Sequence, residues 1–592
     1  MTHRLAIRLA AVTAGTALVG AVFLARQPEA HACGCFAPPD PTVPIVQAGE
    51  SIAFHMEDGK VTAHIQIRYN GPAEEFGWLL PLPSQPTMKV GTDELFLQLI
   101  QQTQPLYRLQ AEYVGNCPFD PNRGGGFGSS AGGESAPDAD NGGGAGGEGY
   151  NPLVVRDTVG PYDYAVLRAD QKQPMLDWLD ENGFFVPTGT DDAVDPYIRP
   201  GAYFLALKLI KGNSVGDIQP VVVEYESDLP MIPIVLTSVA ADPDMPILVW
   251  VLGEHRAIPR NYFHTRINDA ELDWLNFGQN YLDVVTDAVD EADGHHSFVT
   301  EYAGSSSVMA DILDYPGRFG NLDDLRAFTD AIQYVEYLTY SGYTTGGNTP
   351  PLFQPVFTSQ VLGILQKHLP VPAALLEELT EQGFTASQYY LNMRYYVETD
   401  RLSRPELYED LDIEFDPVAM TAELDERVVQ PTLEAGQMFR KNSYMTRLFT
   451  TLSPTEMTKD PVFSFNPELE EVSNIHTGRL IYYCGLTGGN DPATTPAKII
   501  TEDGWELPLP NGTGDNPWSE IDWPMSYQIQ VVREEGDEEV VVDNTELILA
   551  AIAAQSGDDG GCSVGGGASS LAGLSIGALF ALVALRRRRR DA

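Results

Sequence analysis

The stretch IAFHMEDGKVTAHIQIRY (52–69) alternates apolar and polar residues on both sides of Asp58-Gly59. A period of two sends successive side chains to opposite faces of a strand, and Asp-Gly supplies the two positive-φ positions of a tight turn. The stretch is therefore tied to an antiparallel hairpin. Ile52, Phe54, Met56, Val61, Ala63, Ile65 and Ile67 take one face; His55, Thr62, His64, Gln66 and Arg68 take the other. On that polar face His55 and His64 sit diagonally, as solvated strand positions.

Further strands are expected at 202–210, 220–226, 231–238 and 246–252, with a helix at 173–183 that Pro174 opens and Gly183 ends. Beyond about residue 310 the pattern turns helical, at 322–340, 357–368, 371–382 and 432–452. In the last of these Met445, Leu448, Phe449 and Leu452 fall at i, i+3, i+4 and i+7. A late hairpin is expected over 528–543. The fold class is α+β, with a strand-rich N-terminal part built on antiparallel hairpins and a helix-rich C-terminal part. The strand-rich domain takes 33–310 and carries a Gly-rich insertion at 121–149 that cannot bury a core; the mainly helical domain takes 311–556.

Both ends read as addresses. Residues 1–32 carry a basic start (Arg4, Arg8), an apolar run at 9–25 and the small-x-small site Ala30-His31-Ala32, the pattern of a signal peptide. Cleavage there starts the mature chain at Cys33; a lipoprotein signal is the rival reading, though Ala30 and His31 suit it poorly. At the other end, a linker at 557–570 holds Cys562 in glycine, and 571–592 carries a transmembrane segment with Arg586 to Arg590 at its cytoplasmic end. The apolar run is shorter than the ~20 residues of a comfortable span. Gly561-Cys562, the Gly-rich spacer, the apolar segment and the terminal arginines resemble the myxobacterial C-terminal sorting domain (MYXO-CTERM). That resemblance implies processing near Cys562 by a membrane-embedded sortase-like protease and display on the cell surface. An uncut anchor is the alternative, and either route makes the envelope export and sorting machinery partners of the chain.

Charge narrows the partners. The formal net charge is −47, so nucleic acid and anionic membrane surfaces, which demand cations, are poor partners, and no nucleic acid is expected to bind. Cations and basic surfaces suit such a chain. Of the five cysteines, Cys33, Cys35, Cys117 and Cys484 can form two disulfides. Cys33 and Cys35 are too close to pair without strain, so each is expected to bridge to Cys117 or Cys484.

No motif carries a reaction. Gly212-Asn213-Ser214-Val215-Gly216 has the hydrolase spacing but runs from one strand to another as a hairpin loop, and the copy at Gly573 to Gly577 lies in the apolar tail. Asp138-Ala139-Asp140-Asn141-Gly142 has the look of a calcium loop without its closing glutamate. Glu254, His255 and His264 follow the strand ending at Leu252, and His295, His296 and Glu301 follow an acidic helix. Imidazole with carboxylate is the recipe for a zinc site or a general base, so His255, His264, His295 and His296 are the metal-ligand candidates. No cofactor is required by the sequence; calcium or zinc is the metal it would admit.

Cys33-Gly34, FGWLLPLP (76–83), VGPYDYAVL (159–167), MIPIVLTSVAADPDMPILVWVLGEHRAIPRNY (231–262) and YMTRLFTTLSPTEMTKDPVF (444–463) together resemble the bacterial domain-of-unknown-function family numbered 2330. The resemblance implies no chemistry and no catalytic residues. The expectation is an exported, envelope-displayed binding or structural module without enzymatic activity, whose partner is a surface protein or glycan. The alternative is a secreted metal-dependent enzyme using the histidines and glutamates of 254–301.

Overall fold

A computed structural model describes residues 46–70, 76–115, 151–184, 191–210, 218–345, 356–485, 491–518, 521 and 523–556. The expected signal peptide at 1–32, Cys33, Cys35 and Cys117, the Gly-rich insertion with its calcium-like stretch, Gly212 to Gly216, Cys562 and the segment 571–592 lie outside these residues. Among the described residues no helix is long and apolar enough to cross a membrane.

The hairpin forms as its alternation demands. Strands β1 (Val46–Glu57) and β2 (Lys60–Asn70) pair antiparallel, Glu57 opposite Lys60. Asp58 and Gly59 turn between them at φ 54° and 76°. There follow β3 (Gly77–Leu82), β4 (Thr87–Val90), helix α1 (Asp93–Thr103) and β5 (Leu106–Val114). Then come β6 (Leu153–Val159), β7 (Tyr162–Arg168), α2 (Lys172–Glu181), β8 (Tyr203–Leu209) and β9 (Val221–Glu226). Next are β10 (Met245–Gly253), β11 (Arg256–Pro259), β12 (Phe263–Ile267), α3 (Tyr281–Asp290) and β13 (Ser297–Ser305). The helical stretch holds α4 (Ala331–Thr339), the two-residue strands β14 (Thr344–Thr345) and β15 (Val356–Phe357), α5 (Ser359–His368), α6 (Ala373–Glu381), α7 (Pro417–Leu424) and α8 (Gln430–Lys441). The chain returns to strands with β16 (Tyr444–Leu452), β17 (Phe463–Asn466), β18 (Ile475–Tyr483), β19 (Ala497–Ile500), β20 (Glu506–Leu509), β21 (Ser526–Val531) and β22 (Glu539–Asp543), and α9 (Thr545–Gln555) follows. The class is α+β.

A ten-stranded sheet in the order β22-β21-β12-β13-β16-β10-β1-β2-β9-β4 is the backbone of the molecule. Its inner face, with Ile52, Phe54, Ala63 and Ile65, packs on Trp78, Leu80, Leu205 and Leu207 of a four-stranded sheet, β3-β8-β7-β6. Its other face carries Ala53 and Trp250 under Leu95, Phe96 and Leu99 of α1 and Met438 and Phe439 of α8. Helix α2 closes the far side of the smaller sheet with Met175 and Leu179. Helices α4 to α7 bury a core of their own, and a second four-stranded sheet, β20-β19-β18-β5, packs around Trp274, Trp505, Trp518 and Trp523.

Four local expectations change. The segment 444–452 is not the end of a helix but strand β16, between β13 and β10 at the centre of the large sheet. Leu448 and Leu452 enter one core while Met445 and Phe449 enter others, so the apparent helical spacing comes from a strand covered on both faces. Residues 231–238 are not a strand: Met231 makes one bridge to Val462, and Ile234–Thr237 is a single helical turn. Pro230 and Pro233 deny that stretch its ladder donors. Strands β8 and β9 belong to different sheets, so the connection between them is a crossover rather than a hairpin. His64 is buried rather than solvated, because α1 and α8 cover the polar face of the hairpin; its ring lies 6.3 Å from that of His55, and burial holds its pKa down to about 3.

At the centre of the large sheet Arg447 of β16 donates from Nε to Glu301 of β13, and both side chains are almost wholly buried. Arg447 Nη1 also donates to Thr103 Oγ1 at 3.2 Å, which accepts from Trp250 Nε1 at 3.1 Å. Removing the cation leaves a carboxylate buried without its counter-charge. Arg447→Met is expected to lower stability by about 3–5 kcal/mol in chemical denaturation, and adding Glu301→Gln should recover most of that loss.

Cys484 is disulfide-bonded. Strands β5 and β18 run parallel with Val114 beside Tyr483, and the Cys484 N–H donates to Val114 O at 2.9 Å. Cys117 follows Val114 by three residues. Non-reducing peptide mapping is expected to link Cys484 to Cys117, whereas a link to Cys33 or Cys35 would restore the pairing that the spacing of the cysteines suggests.

Candidate functional site

Where β12 and β13 part from one another within the large sheet, their side chains and the loops 468–473, 502–503 and 537–538 enclose a cleft of about 720 Å³. One of its walls owes its shape to an irregularity in β13. Thr300 pairs with Leu448 and Tyr302 with Arg447, so Glu301 is the extra residue of a β-bulge. A bulge re-aims a side chain. Here Glu301 Oε1 accepts from the Tyr281 hydroxyl of α3 at 2.7 Å, while Oε2 takes the guanidinium of Arg447. Burial and the Glu301 charge push the Tyr281 hydroxyl well above its usual pKa, so it stays a donor.

The opposite wall is aromatic and acidic. Tyr107, at the start of β5, stacks on His476 of β18 with ring centres 4.7 Å apart, and His476 Nδ1 lies 2.5 Å from Glu502 Oε2. Asp269 is buried beside the turn between β19 and β20. Its Oδ2 accepts the Asp503 N–H at 2.9 Å and the Thr501 hydroxyl also favours its charge, while among the described residues its Oδ1 has no hydrogen-bond partner of good geometry. Burial, reinforced by the neighbouring Asp503 charge, lifts Asp269 to about 7. Asp503 is also raised by burial, against the pull of Arg266, whose Nη2 donates to its Oδ1 at 2.8 Å. Asp269 therefore exchanges its proton near neutral pH, as a candidate acid, base or cation ligand does.

The four histidines do not converge on one centre. His264 alone lines the cleft. Its Nδ1 faces Gln530 Oε1 at 2.9 Å, its Nε2 is buried without a partner, and burial together with Arg256 keeps it neutral, with its pKa down to about 3. His255 is exposed in the turn between β10 and β11, next to exposed Glu254. His296 bonds the Glu456 carbonyl at 2.9 Å and packs on Tyr262. His295, held at φ 59° after the end of α3, brings its Nδ1 to 3.1 Å from Asp290 Oδ1 and 3.4 Å from Glu456 Oε1. Asp290, His295 and Glu456 are the one group of three among the described residues whose ligand atoms lie close enough to share a metal ion. One imidazole and two carboxylates with room for water would suit zinc. Asp290 and Glu456 escaped the sequence reading because neither stands in a metal-ligand motif, and Glu456 comes from a loop far along the chain.

Most of the cleft was invisible in the sequence. Tyr107, Asp269, Tyr281, His476, Glu502 and Asp503 come from separate segments with no shared spacing, and nothing local announces the bulge that turns Glu301 inward.

The family model described as an uncharacterized protein conserved in bacteria (DUF2330) matches residues 27–344. No curated protein and no solved structure matches the chain. The matched region supplies Tyr107, His264, Asp269, Tyr281 and Glu301, whereas His476, Glu502 and Asp503 come from beyond it. With more than half of its length matched, the chain belongs to this uncharacterized bacterial family.

Proposed function

We propose that this is an exported protein displayed on the cell envelope and acting as a binding module, whose cleft receives a cationic group such as the basic side chains of a surface protein. The observation that carries this reading is the cleft itself. Its lining has nine carboxylates, from Asp269 to Glu538, against two guanidiniums, Arg256 and Arg266. Arg266 is spent on Asp503, and Arg256 on Glu538 at 3.6 Å and on the Glu470 carbonyl at 3.0 Å. A cation entering here meets Asp269, whose buried Oδ1 has no hydrogen-bond partner among the described residues, and the Tyr107 ring lines the same cleft. Low-dielectric walls strengthen such a field. The net charge of −47 favours the encounter at longer range. Export rests on the two terminal address segments.

Titrating the full-length chain with tetralysine is expected to show binding that weakens with salt and drops about tenfold in the Asp269→Asn, Asp503→Asn double variant. A cation favours ionised Asp269, so affinity should rise with pH up to about 7, the pKa of the free carboxyl, and level off above it. Binding that ignores pH and both substitutions would end the reading. The Asp269→Asn control should remain folded. Folding with Asp269 ionised carries a penalty that is absent at low pH, grows as the pH rises from the ordinary carboxylate range to about 7, and is constant thereafter. The variant is accordingly expected to be more stable than the parent at pH 8 and indistinguishable from it at pH 4 in thermal melts. An epitope in the body should fractionate with the envelope; uncut protein in the cytosol would refute the export step.

A second reading, a metal-dependent enzyme, is favoured by the Asp290–His295–Glu456 group. Elemental analysis of the purified chain after dialysis against zinc decides it: about one equivalent, lost in His295→Ala, would support a metal centre. Metal at background level would remove the reading.

A further inference from the structure

The inner face of β1 runs Glu50, Ile52, Phe54, a carboxylate in an apolar row. Glu50 lies between Ile67 of β2 and Ile247 of β10, is 6% exposed, and has no hydrogen-bond partner at Oε2 among the described residues. Burial alone lifts it to about 7; no charged group contributes. An ionised carboxylate in such a place is costly unless it is paired. Nothing about packing demands it, since the next two inward positions of the strand are apolar.

Glu50 lines a cavity of about 380 Å³ between the two packed sheets. Ile52, Phe54, Ile65, Leu80, Leu82 and Tyr225 form its walls. At its mouth stand the exposed Arg199, Asp228 and Arg260, the last 3.5 Å from Glu534. The space is of the size that encloses a small organic molecule. An apolar cavity with one unpaired carboxylate oxygen matches a ligand with an apolar body and one polar head. Among the described residues no cation pairs with Glu50, and Arg199 and Arg260 stand exposed at the mouth, so the head must bring the positive charge.

We propose that this cavity binds an apolar primary amine, its ammonium group against Glu50 and its hydrocarbon or aromatic body along the Ile52, Leu80 and Leu82 walls. The site is separate from the acidic cleft and makes a different demand. The cleft selects charge among many carboxylates, whereas the cavity selects an apolar body and then a single charge. A charge-assisted bond in a dry site discriminates sharply against a neutral head of the same size.

Calorimetric titration of the full-length chain with hexylamine, 1-hexanol and hexanoate tests this. The amine should bind roughly tenfold more tightly than the alcohol, with hexanoate weakest. The preference for amine over alcohol should vanish in Glu50→Gln, while alcohol binding is kept. It should persist in Asp269→Asn, which alters only the cleft. Equal binding of amine and alcohol, tighter binding of hexanoate, or an amine preference lost with Asp269 and retained without Glu50 would each overturn the proposal. The ranking of the three probes on the parent protein decides the matter even if a variant fails to fold.

Discussion

The ion pair between Arg447 and Glu301 holds the structure to one arrangement. Arg447 sits on the strand at the centre of the ten-stranded sheet, Glu301 on the bulge of its neighbour, and both are withdrawn from water. Two charges so placed must find each other and satisfy their remaining donors and acceptors. Thr103 at the end of α1, Trp250 on β10 and Tyr281 on α3 complete that shell. Three strands and two helices are thereby fixed in one register, and a slip of one residue would strand both charges.

That pair also explains the bulge. Glu301 is drawn out of the regular pairing of β13 toward Arg447 and Tyr281. The irregularity lies just beyond the two residue pairs that join β13 to β12, where the loops of the C-terminal region come down to form the acidic cleft. A stabilising interaction and the wall of the cleft thus share one residue, and the same α3 hydroxyl serves both.

The acidic cleft and the apolar cavity differ because their walls come from different layers. The cavity lies between two sheet faces, so its walls are the apolar half of alternating strands, and Glu50 stands out among them while Arg199, Asp228 and Arg260 stay at the mouth. The cleft lies where strands end, so loops line it with side chains that no packing constraint keeps apolar. Family membership rests on residues 27–344, yet one side of the cleft is built from 468–538, so the matched region alone makes half a site.

Alternation around Asp58-Gly59 determined the first hairpin outright, since a period of two and a turn that needs positive φ leave little else possible. The strands around 203–209, 221–226 and 245–253 were also legible, as short apolar runs bounded by turn residues, and the helices at 172–181, 359–368 and 373–381 by one periodicity with clear stops. Residues 444–452 were not, because a strand buried on both faces loses its alternation and can imitate a helix. The sites fared worse. The sequence singled out His264, His295 and Glu301, but only the tertiary structure separated them, giving His264 and Glu301 to the cleft and His295 to Asp290 and Glu456. It alone brought Tyr107, Asp269 and Asp503 together and left Glu50 facing an apolar cavity, because proximity across hundreds of residues is set by sheet order and packing, which no local pattern encodes.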